Sequence, residues 1–256
     1  MLRSRKTIGP RPTSLVEPFA ARTVPTPRPA RMLVPWTALV LGLLAFAPGS
    51  PQAGTIRGTL RVPSGEMVAY PAMNPYPGRA GALPAPHAGR HGLATDAVVY
   101  VERVPAAAES ALGRERHETP KLAQKDQSFV PRVIAVAVGT AVDFPNLDPI
   151  YHNVFSLSPA RRFDLGKYPR GRSRQVVFSK PGLINVYCDI HSDMEAFVLV
   201  LPHHGFARPS VTGEFRLPDL PAGSYSLKSW HPDLGERSTT VEVPAVGAVT
   251  ADLSYF

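Results

Sequence analysis

"GLINVYCDIHSDMEAFVLVLP", residues 182–202, decides the fold. It opens and closes on short apolar runs, 182–188 and 196–202, each the length of a strand and bounded by Gly or Pro. Between them stand Cys188, the only cysteine of the chain, then His191 and Met194 at steps of three. Cys188 therefore ends one strand, and an imidazole and a thioether occupy the loop that leads to the next. A lone cysteine has no partner for an intramolecular disulfide. It is a buried spare, an intermolecular bridge, or a reactive or metal-binding thiol.

Segments of the same kind recur outward from this stretch. "TIRGTLRV" (55–62), "DAVVYVERV" (96–104), "RVIAVAVGTAVDF" (132–144, two strands joined at Gly139), "HNVFSLS" (152–158) and "SRQVVF" (173–178) precede it. "GEFRLPDL", "SYSLKSW", "RSTTVEV" and "AVTADLSYF" follow it. Many short strands with Gly and Pro between them predict an all-β sandwich or barrel. One helix is expected, near 106–116. Residues 64–95, with five prolines, Met67, Met73, His87 and His91 but no period, read as a long solvated loop. Residues 161–180 carry Arg161, Arg162, Lys167, Arg170, Arg172, Arg174 and Lys180 against the single acid Asp164.

The compartment bears on the thiol. Residues 1–31 are rich in Arg and Pro, Leu33 to Ala47 is apolar, and "PGSPQAG" follows. A charged leader, a short apolar run and a small-residue exit predict a secretory signal over 1–53, cleaved after Ala53, with Met32 as a second candidate start. The run is short for a membrane span and contains Pro35; an uncleaved anchor is the alternative. Seven basic residues and the acid Glu17 in this leader carry +6 of the formal +8. The remaining chain has no global basic excess, which removes the main argument for nucleic-acid binding.

Cys, His and Met together are soft to borderline donors that suit copper and are wrong for magnesium or calcium. A blue-copper site needs two imidazoles and a thiolate in a plane, with a weak axial thioether. The loop supplies Cys188, His191 and Met194. In "DFPNLDPIYHNVFS", His152 stands at the start of a strand after a polar turn, and it is the best candidate for the second imidazole. A copper-free sandwich with a buried thiol leaves this spacing unexplained.

At these residues the chain resembles the cupredoxins, of the plastocyanin and amicyanin type. The resemblance runs through "FVPRVIAVAVGTAVDFPNLD" (129–148), His-Asn-Val at 152–154, and the C-x2-H-x2-M spacing of a short amicyanin-like loop. It covers about residues 121–202 and implies a cupredoxin Greek-key β-sandwich. It further implies that His152, Cys188, His191 and Met194 bind one type 1 copper, and that the backbone N–H of Asn153 bonds the thiolate and tunes its potential. Two positions depart from the pattern. Ile190 stands where a proline is common, and Asp189 and Asp193 flank His191 where amicyanin has an apolar mouth.

"GEFRLPDLPAGSYSLKSWHPDLGERSTTVEV" (213–243) resembles the carboxypeptidase regulatory, prealbumin-like sandwich. The strands with which that fold begins resemble 54–62 and 97–103, far upstream. The expectation is a copper domain inserted into a split sandwich: 54–120 the first strands and the Pro/Gly-rich loop, 121–202 the copper domain, 203–256 the rest. The rival places 97–103 in the copper domain. Bacterial proteins labelled methylamine-utilisation, cupredoxin-like, have a similar arrangement.

Four protein ligands leave no open metal position for substrate, and no second cluster of His-x-His motifs is present, so the expectation is not an enzyme. It is a periplasmic one-electron carrier, with a redox partner protein such as an acidic cytochrome or a dehydrogenase docking at Arg170, Arg172 and Arg174. Nucleic acid and stable membrane insertion after signal cleavage are not expected. The alternatives are a copper-binding or copper-delivery protein, and a cell-envelope binding module with structural copper.

Overall fold

The computed structural model describes residues 53–63, 93–112 and 118–256. The expected leader, and nearly all of the Pro-rich stretch 64–95, lie outside the described residues. The first strands are β1 (Ala53–Arg61), β2 (Val98–Val101), β3 (Ala123–Lys125), β4 (Ser128–Val130), β5 (Val133–Ala137) and β6 (Ala141–Pro145). Next come β7 (Phe155–Ser156), β8 (Phe163–Asp164), β9 (Ser173–Val177), β10 (Gly182–Tyr187), β11 (Glu195–Leu201) and β12 (Phe206–Ala207). The last are β13 (Glu214–Arg216), β14 (Leu220–Pro221), β15 (Gly223–His231), β16 (Gly235–Val243), β17 (Gly247–Thr250) and β18 (Leu253–Ser254). One α-helix, α1 (Ala106–Leu112), falls where the sequence predicted it. The architecture is the all-β sandwich expected from the sequence.

β5, β11, β10, β7 and β8 lie side by side in that order, antiparallel except for β5 beside β11. β6 pairs with β9 opposite them, and β3 runs beside β6 through bridges from Lys121 to Asp143 and from Gln124 to Asn146. Between these layers Ile134, Val136, Val142, Phe144, Val176, Phe178, Ile184, Val186, Val198 and Val200 form a closed core. Each such side chain contributes about 1.5–3 kcal/mol by leaving water. Gly139, at φ 91°, makes the reversal from β5 to β6 in a conformation that costs other residues.

A second core joins β1 and β2 to the strands after residue 205. β13 and β14 run antiparallel to β1, and β17 and β18 parallel to it. β2 lies between β12 and β15, and β15 pairs with β16 along its length. The hydrogen-bonded neighbours of 98–101 are thus strands after residue 205, not strands of 121–202. Ile56, Leu60, Val99, Val101, Leu217, Leu227, Val241 and Leu253 fill this sandwich, and Leu112 of α1 covers it.

β11 explains why its sequence is almost wholly apolar. Ala196, Val198 and Val200 face the first core, while Phe197, Leu199 and Leu201 pack with Val98 and Val133 in a third cluster flanked by Trp230 and Tyr100. A strand buried on both faces loses the usual apolar–polar alternation. Arg132 sits at the margin of that third cluster, over the Phe197 ring and bonded to Asp233.

Candidate metal centre

Inward-facing positions of β10 alternate Ile184, Val186, then Cys188 one residue past its end, so the thiol continues the core-facing row. The loop closes tightly: Cys188 N–H donates to Met194 O at 3.3 Å, and Met194 N–H donates to His191 O at 3.2 Å. Met194 is 1% exposed and belongs to the same core cluster as Cys188. His191 remains partly open to solvent. His152 is wholly buried and paired with Tyr168, N–H to O at 3.3 Å in one direction and 3.0 Å in the other.

The structure brings His152, Cys188 and His191 together. Cys188 Sγ lies 3.9 Å from Nδ1 of each imidazole, and the two Nδ1 atoms are 3.1 Å apart. For metal–nitrogen bonds of about 2.0 Å and a metal–sulfur bond of about 2.3 Å, such a triangle subtends about 100°, 130° and 130° at a central ion. These angles close to a full circle, so the three donors could all reach one ion of that size. Thiolate and two imidazoles in a plane, with a buried thioether from the same loop, fit copper. Burial and the neighbouring His152 hold His191 below the usual histidine range, which keeps its nitrogen lone pair available.

A buried polar frame fixes the His152 loop. Asn146 donates to Ile150 O and Tyr168 O, both at 2.9 Å, and accepts from Asp148 N–H at 2.9 Å. Tyr168 O–H donates to Phe144 O at 2.8 Å and accepts from Gln124 Nε2 at 2.6 Å. Asp148 meets His152 Nε2 at 2.8 Å. Its carboxyl is held below the ordinary range: burial opposes this, and bonds from Gln127, His152 and Asp126 outweigh it. Sequence reasoning gave none of these frame residues a role. The only local signal for them is the spacing Phe144-x-Asn146-x-Asp148.

The other expected residues fall as follows. Among the described residues, the side-chain polar contacts of Cys188 Sγ are the two imidazoles; the Asn153 side chain, as distinct from the backbone N–H expected at the sulfur, donates to Asp164 at 2.6 Å. Arg170 and Arg172 are exposed on the turn before β9, whose backbone is bonded to Asn146. Arg174 lies over the Tyr168 ring, 5.2 Å from its centroid. Lys167 faces Asp189 at 3.8 Å. The two ligand loops also expose apolar side chains, Leu147, Ile150, Tyr151 and Ile190, despite the acids beside His191.

No family model matches the chain, and no curated protein matches it. Several solved structures are similar to parts of it. A Cu-containing nitrite reductase from Thermus scotoductus SA-01 is 25% identical, with TM-score 0.32, over 34% of this chain and 23% of that one, less than a quarter of its length. A purple cupredoxin from Nitrosopumilus maritimus is 21% identical, with TM-score 0.29, over 32% of this chain and 99% of that one. An amicyanin variant in the Cu(I) form is 18% identical, with TM-score 0.31, over 41% and 99%. These overlaps are partial, and the ligand triangle is the stronger fact.

Proposed function

We propose that the protein is an exported, periplasmic type 1 copper protein that carries single electrons, with His152, Cys188, His191 and Met194 as ligands. The observation that carries this reading is the flat donor triangle of 3.1, 3.9 and 3.9 Å. Copper held there would exchange one electron between its two oxidation states. The chain supplies a rigid cage. His152 is locked by Tyr168 and Asp148, Cys188 is fixed at the end of a paired strand, and the core excludes water from the sulfur. Little ligand motion between oxidation states favours electron transfer, and four protein ligands leave no position for substrate, so no catalysis is proposed at the metal. The partly open His191 edge is the proposed contact for a redox partner, with Arg170 and Arg172, on the turn bonded to Asn146, to steer an acidic one. In the same reading, residues 121–202 are a copper domain inserted into the sandwich formed by 54–120 and 203–256.

The test is an absorption spectrum of the copper-loaded protein. An intense visible thiolate-to-copper charge-transfer band is expected, with a reversible one-electron wave by voltammetry. A colourless complex that surrenders copper to a metal-free acceptor would favour delivery instead.

A further inference from the structure

Three turns meet at the end of the middle sandwich farthest from Cys188. They are the β5–β6 turn at 138–140, the segment 157–162 between β7 and β8, and the β9–β10 turn at 178–181. Gly139 N–H donates to Phe178 O at 2.7 Å and Phe178 N–H to Thr140 O at 3.0 Å, which joins the first turn to the third. Asn185 N–H donates to Ser158 Oγ at 2.9 Å, and a Cβ on Gly182 would come within 3.0 Å of the Ala160 methyl, which joins the second to the third. Leu157 is 69% exposed there, and Leu183 and Val138 are 38% exposed each. Ile184 and Val186 belong to the core, so Leu183 lies on the outer face of the sheet, and the pairing of Phe155 with Tyr187 puts Leu157 on the same face. On β11 that face packs with Val98 and Trp230, whereas Leu183 and Leu157 stay open. Arg161, Arg162 and Lys180 are exposed in the same turns. Segments 137–140, 156–162 and 178–184 contain no Asp or Glu, and among the described residues no ion pair engages the three cations. One exposed leucine needs no explanation. Three apolar side chains gathered with three unpaired cations point to a surface that meets a partner.

We propose that this end of the protein docks on a bilayer of anionic phospholipid, with Val138, Leu157 and Leu183 entering the headgroup layer and Arg161, Arg162 and Lys180 on the phosphates. Charge complementarity selects the occupant: three cations without an acid among them suit an anionic surface. Shape separates lipid from an acidic protein. A tight protein contact is built on an aromatic anchor or a pocket, and the three turns offer neither; they offer small apolar tips flanked by cations, which suit the boundary between headgroups and acyl chains. Three cations and three short apolar side chains hold a surface reversibly and do not insert a segment. The site of docking also sets an orientation. β10 runs from this end to the thiol, and its six residues at about 3.3 Å each place Cys188 about 20 Å away. A docked molecule would keep its His191 edge turned to the aqueous side, open to a soluble redox partner. That purpose rests on the electron-carrier reading; the docking itself does not.

The test uses the full-length, metal-free protein with carbon-13 methyl groups on Ile, Leu and Val, mixed with lipid nanodiscs that carry a nitroxide on the headgroup. With phosphatidylglycerol in the disc, the methyl signals of Val138, Leu157 and Leu183 should broaden most, and those of Leu147, Ile150 and Ile190 near His191 should stay sharp. Residues 1–52 are the same in every arm, so the pattern among these methyls, not binding as such, is the readout. The opposite pattern overturns the proposal, and so does equal broadening by discs of phosphatidylcholine alone. In the triple variant Arg161→Gln, Arg162→Gln, Lys180→Gln, the lipid concentration for half-maximal broadening should rise about a hundredfold at low salt, about fivefold for each cation. Raising the salt should have the same sense in the wild type. Leu157→Ser should raise that concentration severalfold at any salt. All four positions are exposed, so the fold should persist. An unchanged midpoint in the triple variant sinks the proposal. Soluble polyglutamate is the last arm: if it shifts the three methyls while lipid leaves them alone, the occupant is an acidic protein and the lipid assignment falls. Absence of a visible band from the copper-loaded protein would count against the copper reading alone.

Discussion

Arg132 holds Asp233 across 101 residues of sequence, Nη1 to Oδ2 at 2.7 Å and Nη2 to Oδ1 at 3.1 Å. Asp96 and Glu195 stand farther from the same guanidinium, at 3.6 and 3.8 Å, and Phe197 lies beneath it. The group therefore ties β11, the β15–β16 reversal and the approach to β2 at one point. Asp233→Ala should cost roughly 3 kcal/mol, the low end for breaking a buried pair, because two carboxylates remain close. Urea unfolding should show a lower midpoint at an unchanged slope. Arg132→Lys should not restore it, since an ammonium lacks the two-pronged geometry. A loss below about 0.5 kcal/mol would mean the pair behaves as a surface one.

Cys188→Ala removes the strongest proposed donor from a triangle that has no spare. The visible band and most of the copper affinity should vanish while the fold persists, because an alanine fits where a buried thiol sat. Retention of the band would place the metal elsewhere.

Met194 and His152 should separate in degree. Met194→Leu keeps a buried apolar side chain, so copper and colour should remain and the potential should rise, as expected when a weak axial donor is lost. His152→Ala opens the plane of the triangle and removes the partner of Asp148. Its copper affinity should fall far more. Titration with a copper chelator ranks the two, and equal losses would contradict the axial assignment.

The arginines after residue 169 should not act alike. Replacing Arg170 and Arg172 with Gln should slow reduction by an acidic cytochrome at low ionic strength and do little at high salt, where screening at about 10 Å for 0.1 M removes steering. Arg174→Gln should instead cost about 0.5–1 kcal/mol of stability through its lost contact with Tyr168. Stopped-flow rates against salt, beside thermal melts, check both. A flat salt response in the Arg170/Arg172 double variant would leave that turn as a solvated loop.

Residues 203–256 alone should not fold. Without β1, strands β13, β14, β17 and β18 lose the strand to which each is paired, and without β2 one edge of β15 lacks its hydrogen-bonded neighbour. Circular dichroism on heating should show no cooperative transition. A sharp transition would mean that the C-terminal strands carry their own core.

Long apolar alternation made most strands legible. Gly139 between two β-branched runs marked the β5–β6 reversal, and the run 196–202 marked β11 although periodicity could not say that both its faces are covered. Three donor side chains in seven residues singled out Cys188, His191 and Met194, and His152, sought for the second imidazole they lacked, does lie beside Cys188 and His191. The β3–β4 hairpin was not legible. Its turn is Asp-Gln, with no glycine or asparagine to announce positive φ, and its two N–H groups are bonded by Asp148, which is 22 residues from Asp126. Strand β7 was expected from 152 onward and begins at Phe155, because His152 bonds Tyr168 as an isolated bridge and Asn153 turns to Asp164. Arg174 read as one charge in a basic run; only packing shows that its guanidinium covers an aromatic ring.

The partners of β1 lie far downstream, as the bond from Thr55 to Leu217, 162 residues apart, illustrates. This sets an order of assembly. During synthesis β1 must remain unpaired while everything between is made, whereas β5, β10 and β11 can close as soon as residue 201 is available. Once folded, that middle sandwich shortens the separation: its parallel neighbours β5 and β11 lie in one sheet, so its entry at β5 and its exit from β11 stand about one strand length apart, far less than the contour of the chain between them. The entropic cost of the long closure is then met before β1 finds β13. A lesion in the middle sandwich should therefore slow the outer one without touching any of its contacts, and the orphaned strand β1 is the segment that a chaperone or a protease meets first.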